Sequence, residues 1–253
     1  MNHSDDSQTP QENEHDILED GFDFEDIEGH EEDDYSYKSP EKIDFSIITM
    51  GWRELVFFDD LFLNMQGINI GISDPVITQY EYNLLFEYIE IEKTPRDSAM
   101  LVSAFSQMWV FSLYELLRQW RDRRFNVRKW HENGGIREKI KHLSDGDELN
   151  LAKNIRRRQL QAYSENKEMR DMLDAQWLTI EPVYRAVELY RMNLAKHTAP
   201  GKESIVPRAP GYGRINMLCG AMDYELASKD GTYTIINRRD LADALRRAFL
   251  ELP

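Results

Sequence analysis

Three histidines beyond the first 42 residues each follow an arginine at short range: Arg124 precedes His131, Arg137 precedes His142 and Arg191 precedes His197. An imidazole titrates near neutrality and can move a proton on or off a ribose 2′-hydroxyl. A guanidinium stays charged, so it can hold the scissile phosphate and offset the charge that builds in the transition state. Together such a pair can cleave RNA without a metal. Spacing alone does not choose among the three: with 20 arginines in 253 residues, chance gives a histidine an upstream arginine with four to six residues between them about 0.24 of the time.

Context does choose. Arg124 and His131 lie in "RDRRFNVRKWH", a dense basic run that reads more simply as a solvated or phosphate-contacting face. Arg137 and His142 lie between the helix-breaking "NGG" and the acidic "SDGD", with little apolar anchoring. Arg191 and His197 flank a stretch tied down by Val187, Tyr190 and Leu194, which can hold a side chain in place as catalysis requires. Helix geometry adds a condition: six steps along an ideal helix leave the two side chains about 120° apart in rotation and about 9 Å apart along the axis. Either the helix unwinds before "HTAPG" or the pair is completed across a two-fold interface. The plainer reading of the same residues makes Arg191 a surface charge and His197 a cation at the negative end of a helix dipole.

The other common chemistries lack their motifs. No G-x-x-x-x-G-K-[ST] loop, G-x-G-x-x-G, G-x-S-x-G elbow or H-E-x-x-H is present. "GYGR" (211–214) is expected to be a glycine turn rather than a phosphate cradle, and Cys219, the single cysteine, a buried structural thiol. No pair of histidines has helical metal-ligand spacing, so neither a metal nor another cofactor is expected, although a carboxylate-only Mg²⁺ site would leave a fainter trace.

"YRMNLAKH" (190–197) resembles the R-x(4-6)-H motif of the HEPN superfamily, helical-bundle proteins in which a stretch similar to R-N-x-L-A-x-H is common near the last core helices. The match covers about eight residues, with the helical stretch from about 45 to 198 in looser agreement. The resemblance implies a metal-independent endoribonuclease of a toxin, abortive-infection or antiviral defence system, working as a homodimer that brings two motifs to one cleft. It implies Arg191 and His197 as the catalytic pair and Asn193 as a polar helper. Two departures stand out: Met192 directly follows the arginine where a polar residue is common, with Asn193 one later, and Lys196 precedes the histidine.

The elements that must position these residues are mostly helical. "FSIITMGWRELVFFDDLF" (45–62) is apolar enough for a core helix. "SDP" (73–75) offers a cap with proline in the first helical position, and "TPRD" (94–97) repeats the device. After it, Leu101, Val102, Phe105, Met108, Trp109, Tyr114, Leu117 and Trp120 cover so wide an arc that the helix is expected at the centre of a bundle. "HENGG" (131–135) breaks the pattern, and "SDGDE" (144–148) is expected to cap a helix that runs toward Tyr163. A long stretch follows from Lys167 to His197, with Pro182 either kinking it or opening a second segment. Beyond it come a Pro/Gly-rich loop (198–214), a hairpin turning at Lys229-Asp230-Gly231 and a last helix capped by Asn237. The expected fold is therefore mainly α: a disordered acidic tail (1–42), a helical bundle (43–198) and a small α+β appendix (199–253).

Charge is unevenly distributed. The chain carries −15, but residues 1–42 hold 16 Asp/Glu against Lys38 and Lys42, a balance of −14. From Arg118 to Arg158 the balance reverses, with 13 Lys/Arg against six Asp/Glu. There Trp120, Phe125 and Trp130 interleave with Arg121, Arg123, Arg124 and Arg128, a mixture suited to single-stranded RNA, and Lys196 adds a cation beside the candidate pair. The alternative is that the aromatics are core and the arginines are solvated or paired with acids. The tail is expected to bind the basic region, competing with RNA phosphates, or to dock a partner protein. No signal-peptide pattern and no stretch of 18 apolar residues occurs, so a cytoplasmic chain with no membrane partner is expected.

Overall fold

A computed structural model describes residues 37–144 and 149–253. Most of the acidic tail and most of the "SDGDE" turn lie outside the described residues. Seven α-helices are present among those described: α1 (Ser46–Gly51), α2 (Leu61–Ile91), α3 (Arg96–Glu132), α4 (Ile136–Ser144), α5 (Leu151–Glu165), α6 (Lys167–Lys196) and α7 (Arg238–Leu250). Between α6 and α7 run β1 (Gly213–Ile215), β2 (Met222–Ala227) and β3 (Tyr233–Ile236), an antiparallel sheet in the order β1-β2-β3. The mainly-α expectation holds, and the hairpin pairs Ala227 with Tyr233 across the Lys229-Asp230-Gly231 turn.

Three helix starts differ from expectation; the simplest is α5, which is capped not by "SDGDE" but by Asn150, whose side chain accepts from the Lys153 amide at 3.0 Å. The stretch 45–62 is not one helix: α1 gives way to a 3₁₀ turn at Trp52–Glu54, and Phe57 adopts a left-handed φ of 76°. Tertiary partners take the backbone groups that a helix would have used. The Gln176 side chain accepts from the Val56 amide at 2.9 Å, and the Trp120 indole donates to the Val56 carbonyl at 2.8 Å. Asp60 then caps α2 by accepting from the amides of Phe62 and Leu63. "SDP" does not start a helix either, because α2 runs through Asp74 and Pro75 for 31 residues. Side chains brace the turn before the proline: the Ser73 hydroxyl bonds the carbonyls of Asn69 and Ile70, and the Trp109 indole bonds that of Ile70 at 2.9 Å. Pro182 likewise sits inside a continuous α6.

α3 is the central helix, packed between α2 and α6, and Val102, Trp109, Leu113, Leu117 and Trp120 are buried. Its arc is not closed, since Leu101 and Met108 remain 41% and 64% exposed. α3 is also long and apolar enough by composition to cross a membrane, though the qualifying window is partly buried within this bundle.

The C-terminal elements are built into the bundle, and Ser36–Pro253 forms one compact unit. Asn237 and Asp240 close a capping box at the start of α7. The next residue, Arg238, is wholly buried and reaches α2, bonding Asp74 at 2.5 Å, both Glu81 oxygens at 2.6 and 2.7 Å, and the Thr78 hydroxyl at 2.9 Å. Arg246, one side of α7 further on, also binds Asp74. Burial works against the Arg238 charge, but the Glu81 and Asp74 carboxylates outweigh it and hold the guanidinium firmly protonated. Gly220 lets the sheet approach α2: a Cβ there would lie 1.8 Å from the Glu81 carbonyl, and its φ is 76°.

Candidate active site at the end of helix α6

The last turns of α6 are anchored by Val187, Tyr190 and Leu194, all buried, as the spacing predicts. Arg191 and His197 sit on this fixed end, but they are presented differently. The Arg191 guanidinium lies 5.0 Å from the centre of the Tyr114 ring on α3, with Nη2 4.0 Å from Glu115 Oε1, and its side chain is 25% exposed. His197 is the C-cap residue, exposed, with φ 56° and ψ 36°, and its amide donates to the Asn193 carbonyl at 3.1 Å. Helical geometry persists through Lys196, so unwinding affects only His197 itself and leaves Arg191 on another side of the helix. No hydrogen bond joins the two side chains among the described residues.

Asn193 has a different task from the polar helper expected of it. It is fully buried, donating to the carbonyls of Leu189 and Ala227 at 2.9 and 3.1 Å and accepting from the Ala227 amide at 2.8 Å. Its amide group thus fastens β2 to α6 and has no face left for a substrate. Lys196 is exposed beside His197.

Each arginine of the α3 basic run has a carboxylate partner. Arg121 bonds Asp122 at 2.9 Å, Arg123 bonds Asp60 at 2.7 Å, Arg124 bonds Asp174 at 2.7 Å and Arg128 bonds Glu132 at 2.8 Å. Trp120 is buried against Phe58 and Trp177, so it is not a stacking platform; Phe125 is exposed and Trp130 half-exposed. Of the alternatives open in the sequence, paired arginines over a core aromatic describe most of this face. Around the other two histidines, His131 lies edge-on to Tyr163 at 5.7 Å, and His142 lines a cavity of about 140 Å³ with Trp130, Lys139 and Arg156. A larger cavity of about 350 Å³ lies beside the Leu55–Phe57 loop and includes Arg53, Asp59 and Arg158. Neither cavity is lined by Arg191 or His197.

Beside Arg191 the structure adds Tyr184 and Glu188, which sequence reading passed over, and gives Tyr114, expected only as core, a second contact. Tyr114 and Tyr184 stack at 5.9 Å, and the Tyr184 hydroxyl accepts from Arg121 Nη1 at 2.5 Å and donates to Glu188 Oε1 at 2.9 Å. Burial, then the Glu188 charge, pushes the Tyr184 phenol well above its usual range, so it remains a hydroxyl at any working pH. Tyr184, Glu188 and Arg191 lie at spacings of four and three on one side of α6, a pattern present in the sequence. Cys219 is buried as expected, and burial pushes its thiol up to about 12. Among the described residues no three His, Cys, Asp or Glu side chains gather as a metal site. No family model matches the chain, and comparisons with curated proteins and with solved structures found no match.

Proposed function

We propose that the end of α6 is an RNA-cleaving site of HEPN type, needing no metal and acting in the cytoplasm as part of a toxin or defence system. His197 takes the proton of a ribose 2′-hydroxyl, and the freed oxygen attacks the adjacent phosphorus. The bond to the 5′ oxygen breaks, the proton that His197 took is passed on to that leaving oxygen directly or through water, and the products are a 2′,3′-cyclic phosphate and a 5′-hydroxyl. Arg191 orients the phosphate and offsets its growing charge. The reading rests on one observation above all: the His197 ring is exposed with no hydrogen-bond partner among the described residues, at a helix end whose core side is locked by Val187, Tyr190 and Leu194. Because α6 keeps Arg191 and His197 on different sides, the reading also requires a second copy to complete the site.

A second reading, a non-catalytic interaction or regulatory protein, is favoured by Asn193 being committed to β2 and by the α3 arginines being neutralised by acids. Cleavage of single-stranded RNA in excess chelator separates the two. The nuclease reading expects cleavage that is lost by at least a hundredfold in Arg191→Ala and in His197→Ala while both variants keep the wild-type circular dichroism. An inactive wild type, or activity indifferent to both changes, supports the second. Removing residues 1–40 is expected to raise RNA affinity at low salt if the acidic tail competes with phosphates; unchanged affinity assigns the tail to partner docking or solubility.

A further inference from the structure

α2 has two apolar sides. The inner side packs Leu63, Ile70, Ile77 and Leu84 into the core. The outer side carries a second, separate repeat. Phe62, Asn69, Val76 and Asn83 recur every seven residues, and Met65, Ile72, Gln79 and Phe86 each follow three residues later; all eight are exposed. That is the spacing of a coiled-coil seam, with Asn69 and Asn83 in one row and Gln79 in the other, where Gln79 donates to Asn83 at 2.9 Å, facing away from the protein's own core.

The seam is also free of charge. From Leu61 to Phe86 the only charged residues are Asp74 and Glu81, and both are fully buried on Arg238. On the neighbouring α3, no charged residue occurs between Asp97 and Glu115, and Met100, Leu101 and Met108 are exposed. Tyr80 and Phe105, with ring centres 5.7 Å apart, join the two helices at this surface. Residues 43–253 hold 30 Asp/Glu and 29 Lys/Arg, so an uncharged face of this length stands out on an otherwise charged surface. At roughly 100 Å² for each, the eight exposed apolar side chains named on α2 and α3 offer about 800 Å², comparable to the roughly 800 Å² per partner of a standard interface.

We propose that this α2–α3 face is a homodimer interface, α2 seam against α2 seam across a two-fold axis. Such an axis sets a surface against its own copy, so a face of one sign would repel itself and an uncharged face does not. A seven-residue period suits a helix, which needs a register, and buried asparagine pairs are a known way to fix one. A lipid surface needs no register and gains nothing from Asn69, Gln79 and Asn83. The proposal is argued from the seam alone and holds whether or not Arg191 and His197 cleave RNA.

Sedimentation equilibrium of the full chain tests it. The expected mass is twice 29.9 kDa, with Ile72→Glu and Val76→Glu each weakening association at least tenfold and the double variant sedimenting as a folded monomer by circular dichroism. Met108→Glu on α3 is a second route should either α2 variant lose structure. Asn69→Leu with Asn83→Leu is expected to retain association while populating larger assemblies. A wild type that stays at 29.9 kDa at about 100 μM, roughly a hundred times a micromolar Kd, overturns the proposal. So does association unaffected by all three acidic substitutions. So does flotation of the wild type, but not of Ile72→Glu, with neutral phosphatidylcholine vesicles, which would make lipid the occupant.

Discussion

The start of α7 and the end of α6 use the same residue types to opposite effect. At α7, Arg238 has no exposure and every carboxylate it meets is buried with it. At α6, Arg191 rests on an aromatic face with one carboxylate at 4.0 Å, and His197 stands in solvent. Enclosure decides the difference. A charge sealed with its counter-charges is committed to the fold, because removing either side strands the other in a low dielectric. A charge held at the surface by its aliphatic stem or by a ring keeps its interaction energy for a ligand.

The contrast is sharpest under substitution. Arg238→Ala leaves Asp74 and Glu81 buried without their main partner and is expected to cost about 3–5 kcal/mol. For a chain of this size that lowers Tm by roughly 10 °C or more, read by calorimetry. A drop of only a degree or two would mean that the network is open to water. Asn193→Ala removes three hydrogen bonds and orphans the Ala227 amide, for an expected loss of about 2–3 kcal/mol in urea unfolding. If it instead abolished RNA cleavage with stability unchanged, the residue would belong to the site and not to the sheet.

Asp60 lies between the two extremes. Burial would raise its pKa, but the hydrogen bond and charge of Arg123 and the Phe62 and Leu63 amides hold it below the usual carboxylate range. Its contribution is therefore present above the unfolded-state pKa and is lost as pH falls through the lower folded-state value. Arg123→Leu is expected to cost about 1–2 kcal/mol at neutral pH and to shift acid unfolding toward higher pH. An acid limb identical to wild type would remove Arg123 as the cause. The smallest effects belong to α6: Arg191→Ala and His197→Ala are each expected to change stability by no more than about 1 kcal/mol, in the same calorimetry. A larger loss would class them with Arg238 as part of the fold.

What the sequence made legible follows the same division. Local signals read well: the helix break at "HENGG", the Asn237–Asp240 cap and the Lys229-Asp230-Gly231 turn all depend on neighbours a few residues away. The anchoring of α6 by Val187, Tyr190 and Leu194 was legible from helical period. Long-range partners were not. "SDP" has the local form of a cap, yet Asp74 is claimed by arginines 164 and 172 residues away. In the stretch from 45 to 62, Gln176 and Trp120 override a local helical pattern by bonding Val56. The basic run looked like a phosphate surface because two of its partners, Asp60 and Asp174, lie 63 and 50 residues off. Asn193 matched a motif by position while its side chain was spent on Ala227.

In the proposed nuclease reading, the exposed imidazole at the end of α6 takes the proton of a ribose hydroxyl. This step is tested most directly by a pair of oligonucleotides of one sequence, one all-ribose and one 2′-deoxy throughout, incubated with the full chain in excess chelator. Cleavage of the ribose strand alone, leaving 2′,3′-cyclic phosphate ends, is expected. Equal cleavage of both strands, or an intact ribose strand, would contradict the reading.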